Sequence, residues 1–562
     1  MSLFKRLSIR RLSLYLLLLV VVAYGAFQAV ISNRAPENIL KDIIKDQCGQ
    51  SDIECVCDKY LRHLLEYEPN GNETTHKCAS KKEITKLVQS LRIFGNCILE
   101  RNLLVDSDYI TKVEHKLLPM FTQKPATFVR WNGDVIKKSN LASGDKVNTF
   151  SYWSNESRTM SSSGIVISVS EGQVEDMMRL IRVLRYLENQ LPIQIVHRRD
   201  ITKVSQDRII SEARDNLSLV DKNNNISIKI NNFQQDVWFV DAFECIEPMY
   251  QNEFKRYSNK WIAVLFNSFK EMILLDADSV PFINLQEFLK MEKYTKTGAL
   301  FFKDRALTET LWSSQISFYK NLIPTDIEKN NGGLNLSIIG IEKIKNNTFF
   351  DLNRRHMMES GLVVMNRAQH LPGLLMATRL QLWNTMGEPV HGDKELFWLG
   401  QLISGNDNYE FIDKYAGSIG EIKPNASFQK RTICSVQVGH FDENNELLWI
   451  NGGLKVCKKN SASYDYDKVK ELRKNFDSVD SLQKYYSKPM NIDGAIILSH
   501  KKESLLGKFK QDSRWSNNKN MGCDNYFWCA SLNGINDIGD ELIVFNKTYT
   551  EYIRNITSIW VN

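Results

Sequence analysis

The sequence predicts an α/β protein built on a doubly wound sheet, carried behind an N-terminal transmembrane helix and a helical, disulfide-containing N-terminal segment. Three observations predict it. "GIVISVSEG" from Gly164, a helical stripe and "LPIQIVHRRD" read as strand, glycine loop, helix, strand, the opening of a doubly wound sheet. "MILLDADSVPF" from Met272 runs a buried strand into two aspartates, at the strand end where such sheets bind ligands. Near the start of the chain, twenty residues carry no charge.

That uncharged run is "LSLYLLLLVVVAYGAFQAVI", Leu12 to Ile31. At about 1.5 Å per residue it spans roughly 30 Å, the thickness of a bilayer core. Lys5, Arg6, Arg10 and Arg11 precede it, and beyond it charges of both signs mix. Positive-inside asymmetry makes residues 1–11 a cytosolic tail, 12–31 a signal-anchor and the rest lumenal, a type II arrangement. A signal peptide cleaved near Ala23 and Gly25 is the alternative, and it leaves the protein lumenal or secreted all the same. The run is longer than an ordinary signal core, which favours the anchor. Nine Asn-x-Ser/Thr sequons agree with a lumenal location, weakly, because chance matches are common in an Asn-rich chain.

Ten cysteines show no zinc-finger spacing and read as disulfides in an oxidising compartment. Five lie between Cys48 and Cys97 and five from Cys245 onward. If all ten pair within the chain, at least one bridge joins the two groups. The 562 residues are 43% hydrophobic, ample for a large core, and the net charge of +6 is mild. No Lys/Arg run alternates with aromatics, which excludes a nucleic-acid footprint.

Residues 32–150 read as a lumenal stem leading into a helical, cysteine-bearing segment, with "EITKLVQSLRIFGNCILE" from Glu83 its clearest helix. A polar, turn-rich stretch, Asn140 to Gly164, marks the boundary of the main α/β domain over 151–460. After the first strand, Val174, Met177, Leu180, Ile181, Leu184 and Leu187 form one apolar helical stripe. The loop between them, Ser168 to Gly172, is a candidate nucleotide contact, although most strand-to-helix loops only turn the chain. A second unit gives a helix from about Lys260, a strand over Met272–Leu275, and further strands at "GALFF" and "SGLVVM". Residues 461–562 read as a disulfide-tied accessory region.

Asp276 and Asp278 sit at positions i and i+2, which a strand directs to one side. Two carboxylates facing one way repel, and a divalent cation relieves the repulsion. Oxygen ligands suit Mg²⁺ or Mn²⁺, which also bind a diphosphate and neutralise it as it leaves. The bland alternative makes Asp276 a turn cap and leaves Asp278 solvated. A rival enzyme reading is a haloacid-dehalogenase-like phosphatase whose first aspartate is the nucleophile. Its later Gly-Asp acid motif finds only "HGDKELFW", Gly392-Asp393-Lys394-Glu395, with poor spacing.

Taken together, "GIVISVSEG", "KEMILLDADSVPF", "ALFFKDRALTE", "ESGLVVMNRAQH", "HGDKELFWLG" and "CSVQVGHFDENNELLWINGGLKVC" resemble the block pattern of the fungal Golgi α-1,3-mannosyltransferases of the Mnn-one type. The blocks stand in the family's order and cover Gly164 to Cys457. The resemblance implies a GT-A-type fold, GDP-mannose as donor, Mn²⁺ as the metal, and mannose-terminated O- or N-linked glycans as acceptors. It also implies a single-pass Golgi membrane enzyme, with a place in a Golgi glycosyltransferase complex as a further expectation. It maps the metal site onto Asp276, Asp278 and His440. Gly452, Gly453 and Lys455 form a loop suited to approach a diphosphate closely, or else a plain tight turn; Lys260 joins Ser168, Gly172, Gly453 and Lys455 as a donor-site candidate. Transfer from an α-linked donor to an α product retains configuration, so a carboxylate near the anomeric carbon is sought among Asp393, Glu359 and Glu395. Asp393 as a helix N-cap is the structural alternative, and Lys303, Asp304 and Arg305 are expected to form an ion pair at the site's edge. A non-catalytic relative that binds glycans or scaffolds a Golgi complex is the non-enzyme alternative.

Overall fold

The computed structural model describes residues 37–48, 52–66, 78–103, 106–136, 150, 163–217, 219–221, 226–228, 233–326, 328, 334, 341–345, 347–390, 392–424, 431–499, 514–532 and 539–562. The expected anchor at 12–31 lies outside the described residues. Among those described, no helix is long and apolar enough to cross a membrane.

The architecture is mixed α/β. Strands and helices that build the site, in chain order, are β1 (Ser163–Ser168), α1 (Val174–Tyr186), β2 (Ile193–His197), β3 (Val237–Asp241), α2 (Asn259–Phe266), β4 (Glu271–Leu275), β5 (Ser279–Pro281), β6 (Ala299–Lys303) and β7 (Met358–Asn366). They continue with α3 (Arg367–Leu382), α4 (Lys394–Ser404), β8 (Glu410–Tyr415), β9 (Gly417–Gly420), β10 (Val438–Phe441), β11 (Leu447–Asn451), β12 (Gly494–Ile497), β13 (Glu541–Val544) and α5 (Lys547–Val561). A nine-stranded sheet runs β8-β6-β7-β4-β1-β2-β3 and ends on two short strands at Thr127–Arg130 and Val135–Ile136.

Within it β4, β1, β2 and β3 are mutually parallel. The chain steps from β1 outward to β2 and β3, then returns to β4 on the other side of β1. Strand order therefore reverses between β1 and β4, and the crevice beyond their carboxyl ends is where doubly wound sheets take ligands. Every residue of β2 is buried, as is expected of strands covered on both faces. The apolar stripe of α1 seals one face, with Met177, Leu180, Ile181 and Leu184 fully excluded from solvent.

The pattern breaks at β7, which pairs antiparallel with both β4 and β6. Its nine residues are all buried, and the sequence expectation of a strand from Ser360 is extended by two residues at its start. A second sheet, of six strands, runs β13-β12-β9-β10-β11-β5. The residues Asp276-Ala277-Asp278 link β4 of the first sheet to β5 of the second.

The segments expected to be peripheral are packed into this unit. The N-terminal helices Ile53–Glu66, Lys81–Phe94 and Ser107–Leu117 share one hydrophobic core with α2, α3 and α4. From the C-terminal stretch, β12 and β13 join the six-stranded sheet and α5 packs on α1. The bridges are Cys48–Cys55, Cys57–Cys97, Cys434–Cys529 and Cys457–Cys523. Cys78 and Cys245 are unbridged, so ten-fold pairing does not hold and no disulfide joins the two halves.

Candidate functional site

Opposed strand directions assemble the site. Because β7 runs antiparallel to β4, its first residues lie beside the last residues of β4, and the Asp276 amide donates to the Gly361 carbonyl at 2.9 Å. Glu359 and Ser360 thus arrive next to Asp276. The end of β6 pairs with the start of β7, Lys303 opposite Met358, and delivers Asp304 to the same edge. The N-terminus of α4 brings Asp393 and Lys394, and α2 brings Lys260 from behind.

Two acid–ammonium–acid ladders result. In the first, the Lys260 ammonium lies 2.9 Å from Asp276 and 3.1 Å from Asp393. In the second, Lys394 lies 2.9 Å from Asp304 and 2.7 Å from Glu359. Ser360 joins them: its hydroxyl donates to Asp393 at 2.8 Å, its carbonyl accepts from Lys260 at 3.1 Å, and its amide donates to Glu359 at 3.0 Å. Glu359 also accepts from the Asn451 amide at 2.9 Å. Buried charges persist only when paired and hydrogen-bonded in this way. Burial works against the Lys260 ammonium, yet Asp276 and Asp393 hold its pKa above the ordinary lysine range. Burial likewise opposes the Glu359 carboxylate, and Lys394 reverses it and holds the group below its usual value.

Asp276 differs. Burial, with Asp278 and Asp393 adding repulsion and Lys260 opposing it, pushes its carboxyl up to about 7. Three carboxylates facing one ammonium leave an excess of negative charge at the cleft. Asp278 is partly exposed and its carboxylate has no hydrogen-bond or ion-pair partner among the described residues. Its backbone is fixed instead: the Asp278 carbonyl accepts from the amides of Gly452 and Gly453 at 3.1 and 2.7 Å. Both glycines have positive φ, +98° and +72°, and a Cβ at Gly453 would come 2.9 Å from the Trp560 indole nitrogen. Glycine is required there so that the loop after β11 can lie against the aspartate turn.

In that loop, Lys455 is half-buried and its ammonium has no partner among the described residues. Burial, then Arg179, lowers its pKa, while Asp176 and Glu175 pull the other way. Lys455 therefore faces the N-terminal turns of α1. Ser168 closes β1 at the reversal point. Gly172 is exposed, with open space where a Cβ would stand, and its loop is held by Glu171, whose carboxylate accepts from the Thr202 amide at 2.8 Å and the Ser205 hydroxyl at 2.5 Å.

His440 is buried in β10, stacked on Trp449 with ring centres 4.0 Å apart, and set edge-on to Phe302 at 5.5 Å. Burial pushes its pKa down to about 4, so the imidazole is neutral, and its Nε2 has no hydrogen-bond partner among the described residues. The charges that act on it are Glu359, Asp304, Lys394 and Arg305. Among the described residues, no three His, Cys, Asp or Glu side chains converge as a ready-made metal cluster. The two aspartates supply carboxylates of the right kind for Mg²⁺ or Mn²⁺, and the surplus negative charge favours a dication.

Asp393 occupies the N-cap position of α4, but its side chain makes no capping bond and turns to Lys260 and Ser360. Glu395 turns the other way. Its carboxylate accepts from the Met357 and Met358 amides at 2.8 and 3.0 Å and from the Trp398 indole at 2.6 Å. It ties α4 to the start of β7 and sits apart from the Lys260 ladder. Asp304 and Arg305 do pair at the edge, while Lys303 donates to the Asp413 carbonyl at 2.7 Å. Sequence reasoning missed Lys394, Ser360 and Asn451. Each is the chain neighbour of a residue it did single out, and that adjacency was the available signal.

Known proteins resemble this chain over most of its length. Residues 162–442 match the family described as "Mannosyltransferase putative". "Alpha-1,3-mannosyltransferase MNT2" of Saccharomyces cerevisiae is 34% identical over 459 residues, covering 74% of this chain and 78% of the relative. "Probable alpha-1,3-mannosyltransferase MNT4" of the same yeast is 31% identical over 536 residues, covering 88% and 87%. Among solved structures, an active-site mutant of LgtC aligns with a TM-score of 0.28 at 9% identity, over 44% of this chain and 72% of that one, too slight a likeness to bear on the fold. The family match spans half of the chain and both yeast relatives align over most of it: this chain belongs to the mannosyltransferase family.

Proposed function

We propose that this protein transfers mannose from GDP-mannose to mannose-terminated O- or N-linked glycans, in α-1,3 linkage, with retention of configuration and with Mn²⁺. The observation that carries it is the placement of Asp276 and Asp278 at the strand-order reversal, one paired with Lys260 and the other without a side-chain partner among the described residues. Family membership supports mannosyl transfer, and the printed names of the yeast relatives support the α-1,3 linkage. Resemblance to the Golgi enzymes supports the donor, the metal and a single-pass type II Golgi location.

Asp276 and Asp278 would hold the Mn²⁺; His440, a ligand only by the family resemblance, forms no ready-made three-residue cluster with them among the described residues, and the charges acting on its neutral imidazole are Glu359, Asp304, Lys394 and Arg305. The ion would supply Lewis-acid stabilisation of the departing diphosphate. Lys260 restrains Asp276 and Asp393 in one orientation and offsets their repulsion. Lys455 places a positive charge where the loop of Gly452 and Gly453 meets the aspartate turn, suited to a diphosphate. Glu359, locked by Lys394, Asn451 and Ser360, stays ionised and supplies negative charge against an oxocarbenium-like sugar. In retaining transfer the departing phosphate takes the acceptor proton, so no dedicated base is required.

The test incubates the full chain with GDP-mannose, an α-mannoside and Mn²⁺, with and without chelator, and determines product linkage. An α-1,3-mannoside formed only without chelator is expected. Glycan binding with no turnover would support a scaffold instead, and phosphate release from a model ester with phosphorylated Asp276 would support the phosphatase. Immunolabelling against Golgi markers tests the location.

A further inference from the structure

The turn that presses on Asp278 carries more positive charge than the Lys455 ammonium alone. A Cβ on Gly452 would come 3.1 Å from both Cδ and Nζ of Lys458, so that side chain folds back across the turn. We infer that Lys458 is a second diphosphate-binding side chain of the donor site, held in place by Tyr526. The inference rests on the transferase reading above and adds which further residue grips the donor.

Position argues first. The Gly452 amide donates to the Asp278 carbonyl at 3.1 Å, and the Lys458 ammonium lies over that same glycine. Contact across the turn, rather than closeness in the chain, therefore sets Lys458 beside the aspartates. Glycine at 452, with φ +98°, leaves the space that the lysine tail crosses. Lys458 is exposed, and its ammonium has no hydrogen-bond or ion-pair partner among the described residues.

Charge argues second. The two acids of α1 that act on Lys455 are already engaged, Asp176 by Arg179 at 2.7 Å and Glu175 by Arg208 at 2.5 Å. Lys455 and Lys458 thus stand on one turn, neither in an ion pair among the described residues. Asp276 and Asp278 would match the charge of the dication they hold, so a diphosphate calls for cations besides it. Two lysines supply them as point charges, which suits phosphate oxygens.

Construction argues third. The Lys458 and Lys459 ammonium groups lie 5.4 and 4.4 Å from the centre of the Tyr526 ring, within cation–π range. That ring follows three successive non-glycine residues at positive φ, Cys523, Asp524 and Asn525. Such backbone is costly and persists only where its surroundings fix it. Here the Cys457–Cys523 bridge fixes it, with the Cys523 amide donating to the Tyr486 hydroxyl at 3.0 Å and the Asp524 amide to Asp465 at 3.2 Å. Cys457 immediately precedes Lys458, so the same bridge clamps the lysine turn and the ring together.

The test titrates the full chain with GDP by calorimetry in Mn²⁺ and measures the GDP-mannose Michaelis constant alongside. Lys458→Gln is expected to weaken GDP by about tenfold and to raise the Michaelis constant alike, with kcat changed less than about twofold. Lys459→Gln removes the neighbouring charge from the same ring and should change either constant by less than about twofold. Tyr526→Ala should reproduce part of the Lys458→Gln loss, and Tyr526→Phe, which keeps the ring, should recover it. Unchanged GDP affinity in a Lys458→Gln protein that melts like the parent overturns the inference. Equal losses in Lys458→Gln and Lys459→Gln, or a parent that binds no GDP, overturn it too. A parent that binds GDP yet consumes no GDP-mannose sinks the transferase reading, and the variant titrations still decide the role of Lys458.

Discussion

The Lys260 ammonium lies 2.9 Å from the Asp276 carboxylate, both partly shielded from solvent, and 3.1 Å from the buried Asp393. Removing the lysine leaves Asp276 and Asp393 facing each other with no cation. Lys260→Met should destabilise the protein by about 3 kcal/mol or more, since breaking a buried pair strands the remaining charge. Thermal unfolding checks the loss, and mannosyl transfer should fall with it.

Asp278 contrasts with its neighbour because its carboxylate has no hydrogen-bond or ion-pair partner among the described residues. Asp278→Asn should change stability by no more than about 0.5 kcal/mol. Transfer should drop well beyond the roughly 10–100-fold that loss of a supporting residue costs. Denaturant unfolding alongside a GDP-mannose assay reads both. A folded Asn variant with parental turnover would remove the metal-site reading.

His440 separates a structural from a functional imidazole. Phenylalanine keeps the stack on Trp449 and removes a buried nitrogen that has no partner among the described residues. His440→Phe should therefore be as stable as the parent or gain about 1 kcal/mol. Its activity should fall by more than about tenfold, with the Mn²⁺ needed for half-maximal rate rising, as loss of a ligand or its close support requires. Unchanged activity would make His440 core packing only.

Glu395 predicts a pH dependence of stability. Burial pushes its carboxyl up to about 7, against three donated hydrogen bonds, while the unfolded chain titrates near the ordinary glutamate value. The folded state binds the proton more tightly, so this contribution is complete below about pH 4.5 and is lost as pH rises to about 7. The loss amounts to about 3 kcal/mol at 1.36 kcal/mol per pKa unit. Glu395→Gln cannot titrate and should lack that share of the slope. Urea unfolding of both proteins at pH 5 and pH 8 measures it.

The bridge Cys457–Cys523 closes a loop of 66 residues, two positions beyond Lys455. Replacing both cysteines by alanine should cost about 4 kcal/mol by chain entropy. The loop that carries Lys455 loses its tether, so the GDP-mannose Michaelis constant should rise. Thermal melts and donor titrations give the two readouts.

Much of the site was legible in the sequence. A run of four apolar residues into Asp276 and Asp278 announces a strand end with charge on it, and the helix after "SVSEG" announces the doubly wound crossover. Asp393 was legible as a residue of interest, but its choice between N-cap and ladder was not. A cap is a local bond, and Asp393 is drawn away by Lys260, which is more than a hundred residues distant in the chain. Glu395 shows the opposite error. It shares a motif with Asp393, yet successive helical residues point about 100° apart, so it faces Trp398 and the β7 amides instead of the cleft.

The chain by itself determined which segments become strands and helices, where two carboxylates end a buried strand, and which family the order of blocks belongs to. Those are properties of local periodicity and composition, written within a few residues of one another. Tertiary structure alone decided that β7 runs backwards between two parallel strands, that Lys394 binds Glu359 to Asp304, and that the N-terminal and C-terminal segments share the catalytic core. Sheet order and ion pairing across the fold depend on which surfaces bury one another, and no short window of sequence encodes that.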